Sequence, residues 1–422
     1  MKNNNPTIGL YGIDGVYNYG CEAIVRGTES ILHDKWPDIR IKYASLRPED
    51  DRRRLKGCSI EIVARKFKPI WNPSRLNQLL AYTGLYFKNQ FREDIEWTND
   101  CDIILSIGGD LYTLPPNYKD SRFRAYYNPL LHFGEIIKNK NKKLFIWGAS
   151  IGPFEGYPKA KMAFIDHLRH VDIITSREPV TTKYLKNLKI KNVIECADPA
   201  FAVPTQEYVN KNDLNPKLHI GINLSPISSI YSFKSDINDV LKKQADVIAS
   251  IIKEFDAQVT LIPHVVCDFD INDDDLRYLK LLKSHINPDV IDQVDLVEND
   301  VGFLETQKIL SSCDAVIAAR MHCAINTISI GIPTMFLGYS KKAYGMAEYV
   351  YGNDKWVIPL QRLDNEILEK LHSMIVEKEN IRMFLNKRME KILLDAYLPL
   401  TRLDQILKKI HNMQYNSSKF FV

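Results

Sequence analysis

The chain has 422 residues, of which 45% are hydrophobic and 26% are charged, so it is long enough to bury the cores of two domains. Its formal net charge of +4 is too small to indicate nucleic-acid binding, and we expect no nucleic-acid partner. The seven cysteines include no CxxC pair, which favours reduced thiols over disulfides or a zinc site, so we expect no metal.

The amino-terminal sequence has no signal-peptide pattern and no apolar run is long enough to span a membrane, so we expect a cytoplasmic protein. Residues 47–75 nevertheless hold nine Lys and Arg residues against four acids. This basic stretch has two interpretations, a peripheral contact with the inner membrane face or a solvated loop. The apolar and aromatic segment Trp71–Trp97 likewise fits either an interfacial helix or, more commonly, core packing.

Along the chain, short apolar runs alternate with amphipathic helical windows, which predicts an α/β fold with parallel sheets and crossover helices. In the first half, the predicted strands are Thr7–Tyr11, Ile39–Ala44, Asp102–Ile107, Lys143–Trp147, Asp172–Thr175 and Asn192–Glu195. In the second half, they are Leu218–Asn223, Gln258–Pro263, Gln293–Val297, Ala315–Ala318 and Pro333–Leu337. Helical windows lie between the strands, for example at Glu22–Asp34, Phe123–Lys138 and Ile237–Phe255.

A stretch with three prolines and several Asn and Asp residues, Asp198–Leu218, separates the two α/β series and predicts a linker. We therefore predict an amino-terminal α/β domain over residues 1–210 and a carboxy-terminal α/β domain over residues 211–362. The tail over residues 363–422 has a helical pattern, and we expect its helices to cross back to the amino-terminal domain.

Open parallel sheets bind ligands beyond the carboxyl ends of their strands, so polar residues that directly follow a predicted strand are candidate site residues. In the first half, the candidates are Asp14, Asn18, Asp110, Ser150 and Arg177. Neighbouring glycines would let backbone amides approach an anion, and an arginine at a strand end suits a carboxylate or a phosphate. Each candidate also fits a structural interpretation: a tight turn, a helix cap or, for Arg177, a salt bridge.

In the second half, four side chains follow strands that we place in one sheet: His264, Arg320, His322 and Lys342. A histidine at a strand end is suited to general acid–base catalysis. Arg320 and His322 flank Met321 at a strand-to-helix turn, where the helix amino terminus adds partial positive charge. Together these residues would neutralise a small, multiply charged anion, whereas each of them alone fits a structural role at least as well.

The ordered motifs GASIGPF, SRE, DPAF, PH, RMH, GIP and YSKK resemble the polysaccharide pyruvyl transferase family, from Gly9 to about Gly352. The resemblance implies two Rossmann-like domains that face a cleft, as in GT-B glycosyltransferases. It also implies transfer of the enolpyruvyl group of phosphoenolpyruvate to two hydroxyls of one sugar, which gives a cyclic ketal and free phosphate. Phosphoenolpyruvate is then a donor substrate, and no cofactor is implied.

Carried over by motif, the phosphoenolpyruvate contacts are Arg177, Arg320, Met321 through its backbone, and His322, with Lys342 and His264 joining them. We expect His322 and His264 to transfer protons. The glycine motif IGGD lacks a further glycine found in many relatives, and the loop GIDGVYNYGCEA departs from the family's commoner start. For the acceptor we expect contacts in the first domain, from Asp14, Asn18, Asp110 and Ser150.

The acceptor sugar itself is not named by the sequence. A capsule, exopolysaccharide or cell-wall repeat fits, and so does a lipid-linked precursor such as an undecaprenyl-diphosphate sugar. Two other functions remain open on the same fold: a GT-B glycosyltransferase that uses a nucleotide sugar, and a non-catalytic binding protein.

Overall fold

The computed structural model describes residues 5–69, 71–82, 91–115, 118–121, 128–205, 217–233, 236–339 and 341–419. The chain divides into two compact units. The first unit comprises Met1–Gly15, Ile24–Ala202 and Leu394–Val422, and the second comprises Val16–Ala23 and Val203–Leu393. The domain boundaries predicted from the sequence stay predictions, and the structure adds that the short segment Val16–Ala23 belongs to the second unit.

The first unit is built on a seven-stranded sheet with the strand order β3-β2-β1-β4-β5-β6-β7, in which every neighbouring pair is parallel. Strand β1 (Thr7–Tyr11) and strand β4 (Ile103–Ile107) are buried along their whole length, as expected for central strands covered on both faces. The other strands are β2 (Arg40–Ser45), β3 (Glu61–Ala64), β5 (Lys143–Ala149), β6 (Ile173–Ser176) and β7 (Val193–Glu195).

Crossover helices connect these strands, as parallel pairing requires. In chain order, those in the described residues are α1 (Tyr19–Lys35), α2 (Pro48–Arg54), α3 (Pro73–Tyr82), α4 (Pro129–Asn139), α5 (Pro158–His170) and α6 (Pro179–Asn187). Proline is the first residue of α2 and of each helix after it up to α6, a position where its missing N–H costs no helix hydrogen bond. The first residues of α1, Tyr19–Ala23, are among those that belong to the second unit.

The second unit has a six-stranded, fully parallel sheet with the order β10-β9-β8-β11-β12-β13. Its strands are β8 (His219–Asn223), β9 (Gln258–Leu261), β10 (Val294–Leu296), β11 (Ala315–Ala318), β12 (Thr334–Gly338) and β13 (Val357–Pro359). Its helices are α7 (Pro226–Ser232), α8 (Ile237–Phe255), α9 (Asp275–Lys283), α10 (Gly302–Leu310), α11 (Met321–Ile328), α12 (Lys341–Tyr351) and α13 (Leu363–Val376). Helix α14 (Lys378–Lys419) follows.

The two parallel-sheet α/β units confirm the predicted fold class. All eleven predicted strands are present, with ends that differ by at most two residues. The sequence missed the edge strands β3 and β13, which have four and three residues. No helix in the described part of the chain is long and apolar enough to cross a membrane.

Four predicted segments lie partly outside the described residues: the interfacial stripe over residues 83–90, the helical window over residues 123–127, the linker over residues 206–216 and the tail over residues 420–422. Within the stripe, Trp71 is 84% exposed whereas Phe91 is buried, so its described residues do not share one environment. The membrane contact predicted for this region stays a prediction.

Candidate active site

The second sheet has a topological switch point at the pair β8 and β11. The chain runs outward from β8 through β9 to β10, and then returns to the other side of β8 with β11. In open α/β sheets, the carboxyl ends of the two strands at such a point form the usual ligand site. Asn223 ends β8, and its side-chain oxygen accepts a 2.8 Å hydrogen bond from the backbone N–H of Arg320, which lies just after β11.

Arg320 is held at this edge by two carboxylates. Its Nε and Nη2 donate to Asp275 at 3.1 and 2.8 Å, and Nη2 also donates to the Asp273 carboxylate at 2.7 Å. Burial lowers the pKa of Arg320, but the charges of Asp275 and Asp273 outweigh it and raise the pKa above its usual value. The side chain keeps 13% of its surface exposed. Arg320 is therefore a permanently charged group with a fixed orientation and limited access to solvent.

Asp275 is the buried centre of this arrangement. Besides Arg320, it accepts hydrogen bonds from the backbone N–H groups of His264 and Val265, at 3.0 and 3.1 Å. Burial raises the pKa of Asp275, and the adjacent Arg320 charge opposes that effect. One carboxylate thus ties the segment after β9 to the segment after β11, so His264 and Arg320 are held in a common framework.

His264 is almost completely buried, and its ring lies against the rings of Tyr19 and Phe303, with centroid distances of 5.4 and 6.2 Å. Its Nε2 has no hydrogen-bond partner among the residues that the structure describes. Burial and the charges of His322 and Arg320 lower the pKa of His264 well below 6.5. His264 is therefore a neutral imidazole at neutral pH, with a ring nitrogen able to exchange a proton.

The predicted Arg320-Met321-His322 turn forms the start of α11, with Arg320 as its capping residue. Met321 and His322 occupy the first two helical positions, where backbone N–H groups have no partner within the helix and the helix dipole favours an anion. His322 is half-buried. After the neighbouring strand β12, helix α12 begins at Lys341, so the half-buried Lys342 occupies the corresponding position there.

The segment before α1 contributes to the same edge of the second unit. The backbone N–H of Tyr19 donates to the carbonyl of His264 at 3.0 Å, and the Asn18 side chain caps the helix by accepting from Gly20 N–H at 2.9 Å. Gly20 lies directly against the His322 ring. The predicted acceptor residue Asn18 is thus a helix cap here, and its contact with an acceptor stays a prediction.

Arg177, in the first unit, has surroundings of a different kind. It is fully buried, and its three guanidinium nitrogens donate to Ser150 Oγ at 2.9 Å, Asp198 at 2.7 Å and Asp110 at 2.8 Å. Burial lowers the pKa of Arg177, but the charges of Asp110 and Asp198 raise it overall. Four of the motifs singled out in the sequence, IGGD, GASIGPF, SRE and DPAF, therefore meet at one guanidinium.

These bonds decide which structural interpretation applies to Arg177. The neighbouring Glu178 carboxylate caps α6 by accepting from the N–H and hydroxyl of Thr181. Arg177 forms salt bridges with Asp198 and Asp110, which are distant in sequence. Its predicted contact with phosphoenolpyruvate stays a prediction.

The remaining first-unit candidates lie in two places. Ser150 is buried beneath Arg177, whereas the Asp110 carboxylate is 57% exposed at the same cluster. Asp14 is elsewhere and accepts a 2.6 Å hydrogen bond from Arg65. Arg65 comes directly after the missed strand β3 and also pairs with the buried Glu93 through two 2.9 Å bonds. The structure thus brings Asp110, Ser150 and Arg177 together and leaves Asp14 in a separate ion pair.

Sequence reasoning missed the residues that hold the second-unit site in place, Asp273, Asp275 and Tyr19. Asp275 is visible in the sequence only as one of three consecutive aspartates before a helix, a pattern typical of helix capping. Asp274 indeed fills the capping role, since its side chain accepts from the N–H of Leu276 at 3.0 Å. Nothing in the sequence indicates that the next carboxylate turns inward to Arg320.

Comparisons with known proteins show the family to which this chain belongs. The polysaccharide pyruvyl transferase family matches residues 18–341, more than half of the chain. The amylovoran biosynthesis protein AmsJ of Erwinia amylovora is 22% identical over 405 residues, which cover 89% of this chain and 93% of AmsJ.

Solved structures with similar folds include Anabaena HepE in complex with UDP and glucose, with a TM-score of 0.56 at 11% identity. That match covers 98% of this chain and 100% of HepE. UDP-GlcNAc 2-epimerase of Neisseria meningitidis bound to UDP-GlcNAc has a TM-score of 0.54 at 10% identity, covering 95% of this chain and 100% of the epimerase. At such low identity the likeness shows the fold alone, and it confirms the predicted GT-B-like class.

Proposed function

Because the chain belongs to the polysaccharide pyruvyl transferase family, we propose that it transfers the enolpyruvyl group of phosphoenolpyruvate to two hydroxyls of one sugar. The products are a cyclic pyruvate ketal and free phosphate. As the acceptor we propose a sugar of a cell-surface polysaccharide or of its lipid-linked precursor. The family description and the name of the relative AmsJ, an amylovoran biosynthesis protein, support this acceptor class.

The observation that carries the proposal is the set of positive groups at the carboxyl edge of the second sheet. Arg320 and His322 lie at the start of α11 and Lys342 at the start of α12, and these helices come after the neighbouring strands β11 and β12. Phosphoenolpyruvate carries about three negative charges near neutral pH, so it requires several cations or helix amino termini in one place. In this proposal, Arg320, Lys342 and the Met321 and His322 N–H groups bind the phosphate and the carboxylate.

The proposed chemistry uses the two histidines in different protonation states. Protonated His322 gives its proton to the methylene carbon C3 of phosphoenolpyruvate, which makes C2 electrophilic. A sugar hydroxyl attacks C2, and neutral His264 accepts the hydroxyl proton. The lowered pKa of His264 keeps its imidazole unprotonated near neutral pH, which is the form that accepts a proton.

The remaining steps return both histidines to their starting states. The bond between C2 and the phosphate oxygen breaks, and phosphate leaves with the proton from His264. The second sugar hydroxyl then attacks C2 and closes the ketal, while its proton returns to His322. The two hydroxyl protons are thus balanced by one new C–H bond on C3 and one proton on phosphate.

The test is an assay of purified protein with phosphoenolpyruvate and candidate sugar acceptors, including lipid-linked sugar diphosphates. We expect phosphate release that depends on both substrates, and an acceptor whose mass increases by one pyruvate less one water. His322→Ala and His264→Gln should each lower kcat by roughly 10²- to 10⁴-fold, as loss of a proton-transfer group does.

His285→Ala is the matched control, because His285 is an exposed histidine of the same unit and should be replaceable without loss of rate. Release of a nucleoside diphosphate from a nucleotide sugar, without any phosphoenolpyruvate, would instead identify a glycosyltransferase. Thermal stabilisation by phosphoenolpyruvate with no turnover on any acceptor would indicate a binding protein.

A further inference from the structure

The turn Asn18-Tyr19-Gly20 contacts both histidines of the second unit. Tyr19 N–H donates to the His264 carbonyl at 3.0 Å, and a Cβ placed on Gly20 would lie only 2.5 Å from Cγ of His322. Real Cβ atoms essentially never approach another heavy atom closer than 3.0 Å, so the imidazole occupies the space that any other residue at position 20 would need. We propose that Gly20 is a positioning residue that sets the orientation of the His322 ring.

The glycine is not explained by its backbone. Gly20 is the second residue of α1 and is absent from the glycines that have positive φ, so its conformation is open to any L residue. Within a helix, alanine is intrinsically favoured over glycine. Helix propensity therefore disfavours glycine at position 20, and the close contact with His322 is the reason for a glycine there.

Hydrogen bonds hold the turn in place, so it can restrict the position of the imidazole that lies against it. The Asn18 side chain accepts from Gly20 N–H at 2.9 Å, and the Tyr19 hydroxyl donates to Asp300 at 2.8 Å. One turn later, the Glu22 carboxylate accepts from the N–H of Phe303 at 3.0 Å. These bonds connect the start of α1 to the loop before α10 and to α10 itself, so an added methyl group at position 20 would press on the imidazole and on Cβ of His322, which would lie 2.7 Å away.

This inference rests on the proposed function only for its catalytic consequence, since the orientation of His322 is measurable without turnover. We expect Gly20→Ala to lower kcat by about as much as His322→Ala, roughly 10²-fold or more, with a smaller change in KM for phosphoenolpyruvate. In the His322→Gly background, Gly20→Ala should have no further effect on kcat, because that background lacks both the imidazole and the Cβ that the added methyl group would meet at 2.7 Å. An additional loss in that double variant would overturn the proposal.

The second arm uses histidine-labelled protein and NMR titration of the imidazoles, with His322 assigned from the His322→Ala spectrum. Gly20→Ala should shift the His322 resonances while leaving those of His285 unchanged. Cys21→Ala, one residue along the same helix, should leave the His322 resonances as they are in the unsubstituted protein. A Gly20→Ala protein with unchanged His322 resonances would overturn the proposal, even if its activity were lost.

The two arms separate failure of the inference from failure of the proposed function. If no acceptor is pyruvylated, the NMR arm still decides whether Gly20 positions His322. If Gly20→Ala does not fold, the double variant Gly20→Ala/His322→Gly supplies the test, since glycine at position 322 removes both the imidazole and the Cβ, which lies 2.7 Å from the position of the methyl group. Recovery of folding in the double variant supports the steric assignment, and failure to recover overturns it.

Discussion

Two arginines lie directly after parallel strands of this protein and both pair with two aspartates, yet their surroundings differ. Arg177 in the first unit is fully enclosed, and each of its guanidinium nitrogens donates to a different side chain. Arg320 in the second unit keeps 13% of its side-chain surface exposed and lies at a helix amino terminus beside two histidines. A strand-end arginine is thus enclosed by its hydrogen-bond partners in one unit and partly exposed at a helix amino terminus in the other.

The glycines next to Arg177 and to His322 show the same difference between the two units. A Cβ on Gly109 would lie 2.6 Å from Cζ of Arg177, as a Cβ on Gly20 would lie 2.5 Å from Cγ of His322. In the first unit the glycine allows a buried ion-pair network to close. In the second it allows a half-buried imidazole to occupy one position. Substitutions in the first cluster should therefore affect mainly stability, and those in the second mainly catalysis.

The largest effect should come from Arg177→Ala. It removes the positive charge that pairs with the buried Asp198 carboxylate, so we expect the free energy of unfolding to fall by about 3–5 kcal/mol, measured by urea denaturation. Arg52→Ala is the control, because Arg52 pairs with Glu49 on the surface, where an ion pair contributes about 0–1 kcal/mol. Unchanged stability together with a raised KM for phosphoenolpyruvate would indicate that Arg177 binds the substrate, and it would contradict the difference proposed between Arg177 and Arg320.

Gly109→Ala should have a smaller effect of the same kind. The added methyl group must displace the Arg177 guanidinium in a packed environment, which costs about 1–3 kcal/mol of unfolding free energy. Phosphate release per folded molecule should stay close to that of the unsubstituted protein. Gly20→Ala should instead affect mainly phosphate release and change the free energy of unfolding less. Equal kinetic defects in the two glycine variants would contradict the division of roles.

The smallest effect concerns the pH dependence of stability. Burial lowers the pKa of His264 well below 6.5, so the unfolded chain binds a proton there that the folded chain does not. The contribution of His264 to stability is therefore complete above pH 6.5 and falls by up to about 1.4 kcal/mol per pH unit as the pH drops below that value.

His264→Gln should flatten this acid slope in urea unfolding experiments between pH 7 and pH 5, and His285→Ala should not. Part of the slope will remain, because burial also lowers the pKa of His167, in the first unit, to about 4. If the His264→Gln slope matched that of the unsubstituted protein, His264 would not be the neutral imidazole that the proposed base requires.

Much of the fold can be predicted from the sequence because buried parallel strands consist of continuous runs of apolar residues. The sequence predicts strands β1 and β11 at their observed bounds, and His264, Arg320 and His322 stand out as candidates because they come just after such runs. It misses the edge strand β3, and with it the ion pair that Arg65 makes with Asp14. The site roles of the predicted residues stay predictions, but their proximity in the second unit is a structural fact.

The α/β alternation, the family and the polar residue types at the strand ends can be predicted from local patterns of apolar and polar residues. Which of those residues come into contact depends on the folded chain. Asp273 and Asp275 reach Arg320 across 47 and 45 positions, and Asp110 and Asp198 enclose Arg177 from opposite directions along the chain. Such contacts depend on strand order and helix direction, which parallel crossovers set over long sequence separations. For the same reason, the role of the turn at Gly20 depends on a distant residue, because His322, which it contacts, lies near the other end of the region that matches the family.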